Sequence, residues 1–247
     1  LHPNVQVLTH HDVLQLHKVD DQWQACQNEQ VLASAPVVIL AGAAEVKRFP
    51  ASSGLPLKRI RGQITQLVET ENSAVLKTVV CAEGYVAPGR LGEHTLGASF
   101  DFHNEDLTTT PEGHQGNLDL LQEISPDLAQ RLGDEQLDPH TLKGWAAFRC
   151  TSPDYLPIVG PLTDPEQFAS AYAVLRKDAR QVPDTPCPWL PGVYVNSGHG
   201  SRGLITAPLS GELLAAWITN EPLPVPRVVA EACLPSRFGL RALIKGL

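Results

Sequence analysis

The chain is expected to be an α/β protein with an α+β insertion, and three stretches carry that expectation. Residues 36–43 (Pro-Val-Val-Ile-Leu-Ala-Gly-Ala) form a continuous apolar run closing on glycine, the pattern of a strand buried on both faces of an α/β sheet. Residues 193–219 read as a second apolar strand, a glycine-rich turn and a helix. Between them, residues 60–102 hold short apolar runs separated by turn residues, as in an antiparallel meander. The expected division is one α/β lobe in two pieces, 1–55 and 151–247, and an antiparallel lobe, 56–150, inserted between them.

In chain order, residues 5–8 and 12–19 read as strands, and the segments around Trp23 and Val31-Leu32 as two more. Within the insertion, strands are expected at 60–68, 75–81, 84–87 and 95–102. Helices are expected at 111–124, where Leu118, Leu121 and Ile124 share a face, and at 127–132 behind Ser125-Pro126. Residues 142–148 return to strand and end at Arg149. An amphipathic helix is expected over 168–180, followed by a proline-laden loop over 183–191.

The turn at 196–204 contains Gly198, Gly200 and Gly203, which spell G-x-G-x-x-G. Glycines permit a sharp turn and close backbone approach to a ligand, and a helix start offers free N–H groups to an anion or electron-rich edge. A dinucleotide-binding unit would need another parallel strand after this helix. Here Asn220-Glu221-Pro222-Leu223-Pro224-Val225-Pro226 follows, which cannot be a central strand. The turn therefore reads as the closing ligand loop of a fold that opens elsewhere, and Ala41-Gly42-Ala43 as a second approach point. A plain helix-entry glycine turn is the alternative.

The chain of 247 residues is 43% hydrophobic and long enough for one large or two small domains. Lysine and arginine number 19 against 27 aspartates and glutamates, a net charge of −8 that gives no whole-chain argument for nucleic-acid binding. Beyond Val225, however, Arg227, Arg237, Arg241 and Lys245 face only Glu231. This stretch reads as a phosphate contact or a solvated helix face. Five cysteines without C-x-x-C suit a reducing cytoplasm, and the adjacent His10-His11 pair is poorly spaced for chelation, so no metal site is expected. No membrane span or signal peptide is expected. The chain lacks methionine altogether and is expected to be a piece of a longer protein.

Four segments in order carry a resemblance. They are Arg61-Gly62-Gln63, then Gly97-Ala98-Ser99-Phe100, then Arg149 with 153–161 (Pro-Asp-Tyr-Leu-Pro-Ile-Val-Gly-Pro), then 196–204 (Asn-Ser-Gly-His-Gly-Ser-Arg-Gly-Leu). Together with the closing 235–245 they resemble the D-amino-acid oxidase and glycine/sarcosine oxidase superfamily of FAD-dependent amine oxidases, most closely its tRNA-modifying branch. The resemblance covers nearly the whole chain. It implies a partial FAD-binding Rossmann-like lobe without its N-terminal βαβ unit, over 1–55 and 151–247, and a substrate-binding lobe over 56–150.

The resemblance also implies residue roles. Arg149 takes the position of the substrate-carboxylate arginine, with Tyr85 a candidate pocket residue; Arg202 takes that of a basic residue near cofactor and carboxylate. Gly62 and Gln63 would lie against the cofactor ring. Gly198, His199, Gly200, Ser201, Arg202, Gly203 and Leu204 would face its edge, and Val13, Ala41 and Gly42 would flank the adenosine. A planar guanidinium suits a carboxylate because it donates two parallel hydrogen bonds. The implied reaction is removal of the carboxymethyl group of 5-carboxymethylaminomethyl(-2-thio)uridine in tRNA as glyoxylate, in an enzyme whose other half is a methyltransferase. Oxidation of free glycine, sarcosine or a D-amino acid, and a catalytically empty fragment or interaction domain, stand as alternatives. Surface ion pairing is the competing role for both arginines, packing for Tyr85 and turn formation for Asp154.

Overall fold

The computed structural model describes residues 2–181 and 183–246. Two compact units are present: Leu1–Lys58 with Cys150–Leu247, and Arg59–Arg149.

The first unit opens with an antiparallel meander of β1 (Gln15–Val19), β2 (Gln22–Gln27) and β3 (Gln30–Ala35). Residues 5–8, expected as a strand, are irregular. Val5, Val7 and Leu8 are exposed, and no described strand pairs with them to satisfy their backbone groups. The apolar run at 36–43 yields only β4 (Val38–Leu40). Expected to be buried on both faces, it buries Leu40 but leaves Ile39 45% exposed, because it is the outer strand of its sheet and one face lacks a cover among the described residues. Two 3-10 turns follow, Ala43–Arg48 and Pro50–Ser52.

The second unit contains β5 (Lys58–Val68), β6 (Val80–Cys81), β7 (Tyr85–Val86) and β8 (Glu93–Gly97), then α1 (Pro111–Ile124), α2 (Pro126–Leu132) and β9 (Lys143–Thr151). The sheet order is β6-β7-β8-β5-β9. Three strands are shorter than expected: 75–81 and 84–87 each contribute only two residues, and 95–102 stops at Gly97. The helix limits follow local chemistry. Thr110 accepts from the Gly113 N–H and Ser125 from the Leu128 N–H, each with proline at the first helical position. Leu118 and Leu121 of α1 and Leu128, Ala129 and Leu132 of α2 pack on Leu67, Val86 and Leu96, covering one face of the sheet.

The chain then returns to the first unit through β10 (Ile158–Thr163), α3 (Pro165–Ala171), β11 (Trp189–Ser197), α4 (Gly203–Thr219), α5 (Arg227–Cys233) and α6 (Ser236–Ile244). β11 pairs antiparallel with β10 and parallel with β4, through Val193↔Val38 and Val195↔Leu40. The crossover between these parallel strands therefore contains the whole second unit. Leu40, Ile158, Leu162, Val193 and Val195 form the core beside this sheet with Val46, Phe49, Leu55 and Leu57. The helix expected over 168–180 is broken. Asp164 caps α3 from its side chain, so it starts earlier, and it ends at Ala171, where Tyr172 stacks on Phe168 at 4.7 Å and a 3-10 turn begins.

The basic tail is largely neutralised. Arg227 pairs with Glu231 on α5. Arg237, almost fully buried, and Arg241 both reach Asp154, which also accepts from the Ser152 hydroxyl. Asp154 thus anchors α6 to the loop before β10 as well as shaping its turn. Burial alone would raise its carboxyl pKa; the two guanidiniums outweigh that and hold it well below the usual carboxylate range. Among the described residues no helix is long and apolar enough to cross a membrane.

Candidate active site

In the second unit, α1 and α2 cover one face of the sheet and a cluster around Arg149 forms on the other. Half-buried Arg149, near the end of β9, donates from Nη1 to the Ser99 carbonyl at 3.0 Å, and its guanidinium lies 4.2 Å from the Phe100 ring centroid. Cation–π stacking of this kind holds the guanidinium plane against the ring. Gly62 makes room for it: a Cβ there would come within 2.6 Å of the guanidinium carbon. No carboxylate pairs with Arg149 among the described residues, so most of its five N–H donors remain available.

Tyr85 approaches the same guanidinium electrostatically. Burial raises its phenol pKa, partly offset by Arg149, so it is a neutral hydroxyl at physiological pH. Burial likewise lowers the Arg149 pKa, and Tyr85 opposes this; an arginine so shifted still carries its charge.

The Gln63 side chain is engaged within the unit. Its amide is wholly buried, donating to the Thr110 carbonyl at 2.9 Å and accepting from the Thr110 N–H at 3.0 Å and from Arg61. Its role is to lock the entrance of α1. Gln63 also fixes Ser99, since the Gln63 N–H donates to Ser99 Oγ and the Ser99 N–H to the Gln63 carbonyl. Ser99 in turn supplies the carbonyl that holds Arg149. Ser99 and Phe100 were carried only as motif letters in the sequence; their roles come from a contact across fifty residues.

In the first unit, β11 ends in the turn expected to close on a ligand. Gly198 has φ of 74°, and a Cβ there would press on Ile158 and Leu57 at 3.3 Å, so both conformation and space require glycine. Gly200 is also left-handed, with φ of 58°. Ser197 donates to the Ala43 carbonyl at 2.9 Å, tying the end of β11 to the turn after β4. His199, expected as a cofactor contact, has both ring nitrogens engaged within the turn, at 2.8 Å from Thr206 Oγ1 and 2.9 Å from Asn196 Oδ1. Its imidazole therefore braces the loop, while its carbonyl accepts from the Arg202 N–H and its backbone bridges to Thr151. Burial lowers its pKa.

Arg202 is exposed at the N-cap of α4, and that helix start has no side-chain cap. Leu204, the second residue of α4, is 98% exposed. Val13, Ala41 and Gly42 come together in a mostly apolar cavity of about 340 Å3, which Val38, Leu40 and Phe49 also line.

Residues 2–217 match the family described as FAD dependent oxidoreductase, and the chain belongs to that family. The fold agrees. Glycine oxidase from Geobacillus kaustophilus superposes with a TM-score of 0.62 at 20% identity, over 87% of this chain and 50% of that one. L-Proline dehydrogenase from P. horikoshii gives 0.63 at 18% identity, over 92% and 54%. Much nearer in sequence are the tRNA 5-methylaminomethyl-2-thiouridine biosynthesis bifunctional proteins MnmC of Pseudomonas fluorescens, 72% identical, and of Pseudomonas putida, 71% identical. Each match covers 99% of this chain but only 37% and 38% of the relative, so the chain spans little more than a third of the length of these proteins.

Proposed function

We propose that this chain is the FAD-dependent oxidoreductase part of a bifunctional enzyme acting on tRNA. It removes the carboxymethyl group of 5-carboxymethylaminomethyl(-2-thio)uridine at the wobble position, releases glyoxylate and leaves the 5-aminomethyl base. The observation that carries this reading is Arg149. It is a half-buried cation, stacked on Phe100 and held by Ser99, with room made by Gly62 and no acidic partner among the described residues. An unpaired, desolvated guanidinium is costly unless a ligand anion completes it, and the carboxymethylamino arm supplies a carboxylate of glycine-like shape.

Two observations support FAD as the cofactor. A 3-10 turn over Gly200–Arg202 runs directly into α4, and its start has no side-chain cap, so this helical end presents a positive pole to an electron-rich ring edge. The apolar cavity beside Val13, Ala41 and Gly42 suits an adenine. Held by the turn at Gly198–Leu204 and the pocket at Val13, Ala41 and Gly42, FAD would supply the two-electron acceptor for oxidising the carbon between amine and carboxylate, with water supplying the oxygen of glyoxylate. Within the chain, Arg149 fixes the carboxylate and Phe100 stops the guanidinium from turning. The neutral Tyr85 hydroxyl adds a hydrogen-bond donor without competing charge. The first unit is accordingly the FAD-binding lobe and the second the substrate-binding lobe.

The test is glyoxylate release from tRNA carrying the carboxymethylaminomethyl base, with the full-length, FAD-loaded protein. Arg149→Ala should raise KM by about ten- to a hundredfold, the range of a charge-assisted hydrogen-bonded pair, while the oxidised flavin spectrum persists. Unchanged KM, or equal turnover of free glycine and of the modified tRNA by the wild type, would remove the reading.

A further inference from the structure

β9 is the outer strand of its sheet, and its residues alternate in burial from Lys143 to Phe148. Gly144, Ala146 and Phe148 turn inward or are partly covered, whereas Lys143, Trp145 and Ala147 are exposed, and Arg149 continues the same row. Gly144 lies beside His114 of α1, which puts the inward row on the helix-covered face. The row ending in Arg149 is therefore on the opposite face, where Arg149 meets Gly62. Along this row the chemistry runs cation, aromatic, small residue, guanidinium.

Trp145 stands out. The chain has four tryptophans; Trp23, Trp189 and Trp217 are partly buried, and Trp145 is 69% exposed. A solvated indole gives up the burial that ordinarily holds tryptophan in place. It sits four residues from the arginine that takes the substrate carboxylate, roughly 13 Å along the strand, and two residues, roughly 7 Å, from Lys143. A free amino acid is too short to reach from Arg149 to Trp145. A nucleotide with a carboxylated arm on its base is long enough, and the small Ala147 leaves the space between open.

We propose that Trp145 is a specificity-determining residue that stacks on a nucleobase of the RNA substrate, with Lys143 contacting the phosphate beside it. The inference rests on the proposed function and deepens it, since it names the residues that separate an RNA substrate from a free amino acid. Charge favours this occupant: in a chain of net charge −8, this row carries two cations and no acid. Exposed aromatic faces flanked by basic side chains bind unpaired nucleotides by stacking, whatever the base.

The test uses the full-length protein and an anticodon stem-loop RNA with an ordinary uridine at the wobble position, which lacks the arm that engages Arg149. Trp145→Ala should weaken binding by about tenfold or more, and Trp145→Phe should restore it to within about threefold of wild type. Lys143→Gln should lower the slope of log Kd against log salt by about one. Both positions are exposed, so the variants should keep the wild-type unfolding temperature. Binding by Trp145→Ala within about twofold of wild type would overturn the inference, whatever the turnover. A wild type that binds this RNA through Trp145 yet releases no glyoxylate from the modified tRNA would instead overturn the proposed reaction and leave the stacking role standing.

Discussion

At Gly62 the missing side chain matters more than any present one. A methyl group there would displace the Arg149 guanidinium rather than the backbone, because what it meets is the end of a flexible side chain. Gly62→Ala should therefore fold normally but raise KM for the carboxylated substrate by about tenfold, the loss of one well-placed charged hydrogen bond. Wild-type kinetics in that variant would mean that the observed guanidinium position is not the productive one. His199 illustrates a different lesson. Thr206 and Asn196 take both of its ring nitrogens, and only the folded turn reveals that.

Among the elements, two joints set where the pieces lie. One is the turn from β11 into α4. Replacing Gly198 with alanine asks an L side chain to hold φ of 74° while pressing on Ile158 and Leu57. The expected cost is about 1–3 kcal/mol, read as a lower urea midpoint. The other is the clamp of Arg237 and Arg241 on Asp154, which fastens α6. Asp154→Asn leaves the buried Arg237 charge without its counterion and should destabilise the protein by about 2–4 kcal/mol; an unchanged midpoint would show the clamp to be dispensable. Element limits were most legible where the signal was local: α1 begins at Pro111 behind Thr110 and α2 at Pro126 behind Ser125, as capping chemistry dictates. They were least legible at 168–180, where the stacking of Tyr172 on Phe168 accompanies a break that apolar periodicity does not show.

For the molecule as a whole, pH exposes the buried imidazoles. His114 and His199 both have pKa values lowered by burial, so the folded protein holds them neutral. As pH falls below the ordinary imidazole value of 6.5, the unfolded chain takes up those protons first, and stability declines. The Asp154 carboxylate works in the other window: its contribution is complete above its ordinary value of 3.8 and disappears only in stronger acid. Urea midpoints should therefore be highest near neutrality and fall as pH drops below 6.5, with a second loss below 3.8. A flat profile from pH 7 to 5 would show that neither histidine is held neutral by the fold.

The α/β character, the antiparallel middle segment, the capped helices and the glycine turn were all written in short stretches of sequence, because each depends on neighbours within a few residues. Motif order likewise pointed to the amine oxidase superfamily. The tertiary structure alone decided that β4 pairs in parallel with β11 across the whole inserted unit, that Asp154 absorbs the basic tail, and that Gln63 turns inward while Arg149 stacks on Phe100. It also decided that Trp145 stands in solvent on the row that ends in Arg149. Those outcomes depend on which distant surfaces meet and which charges are left without partners, and no local window of sequence contains that information.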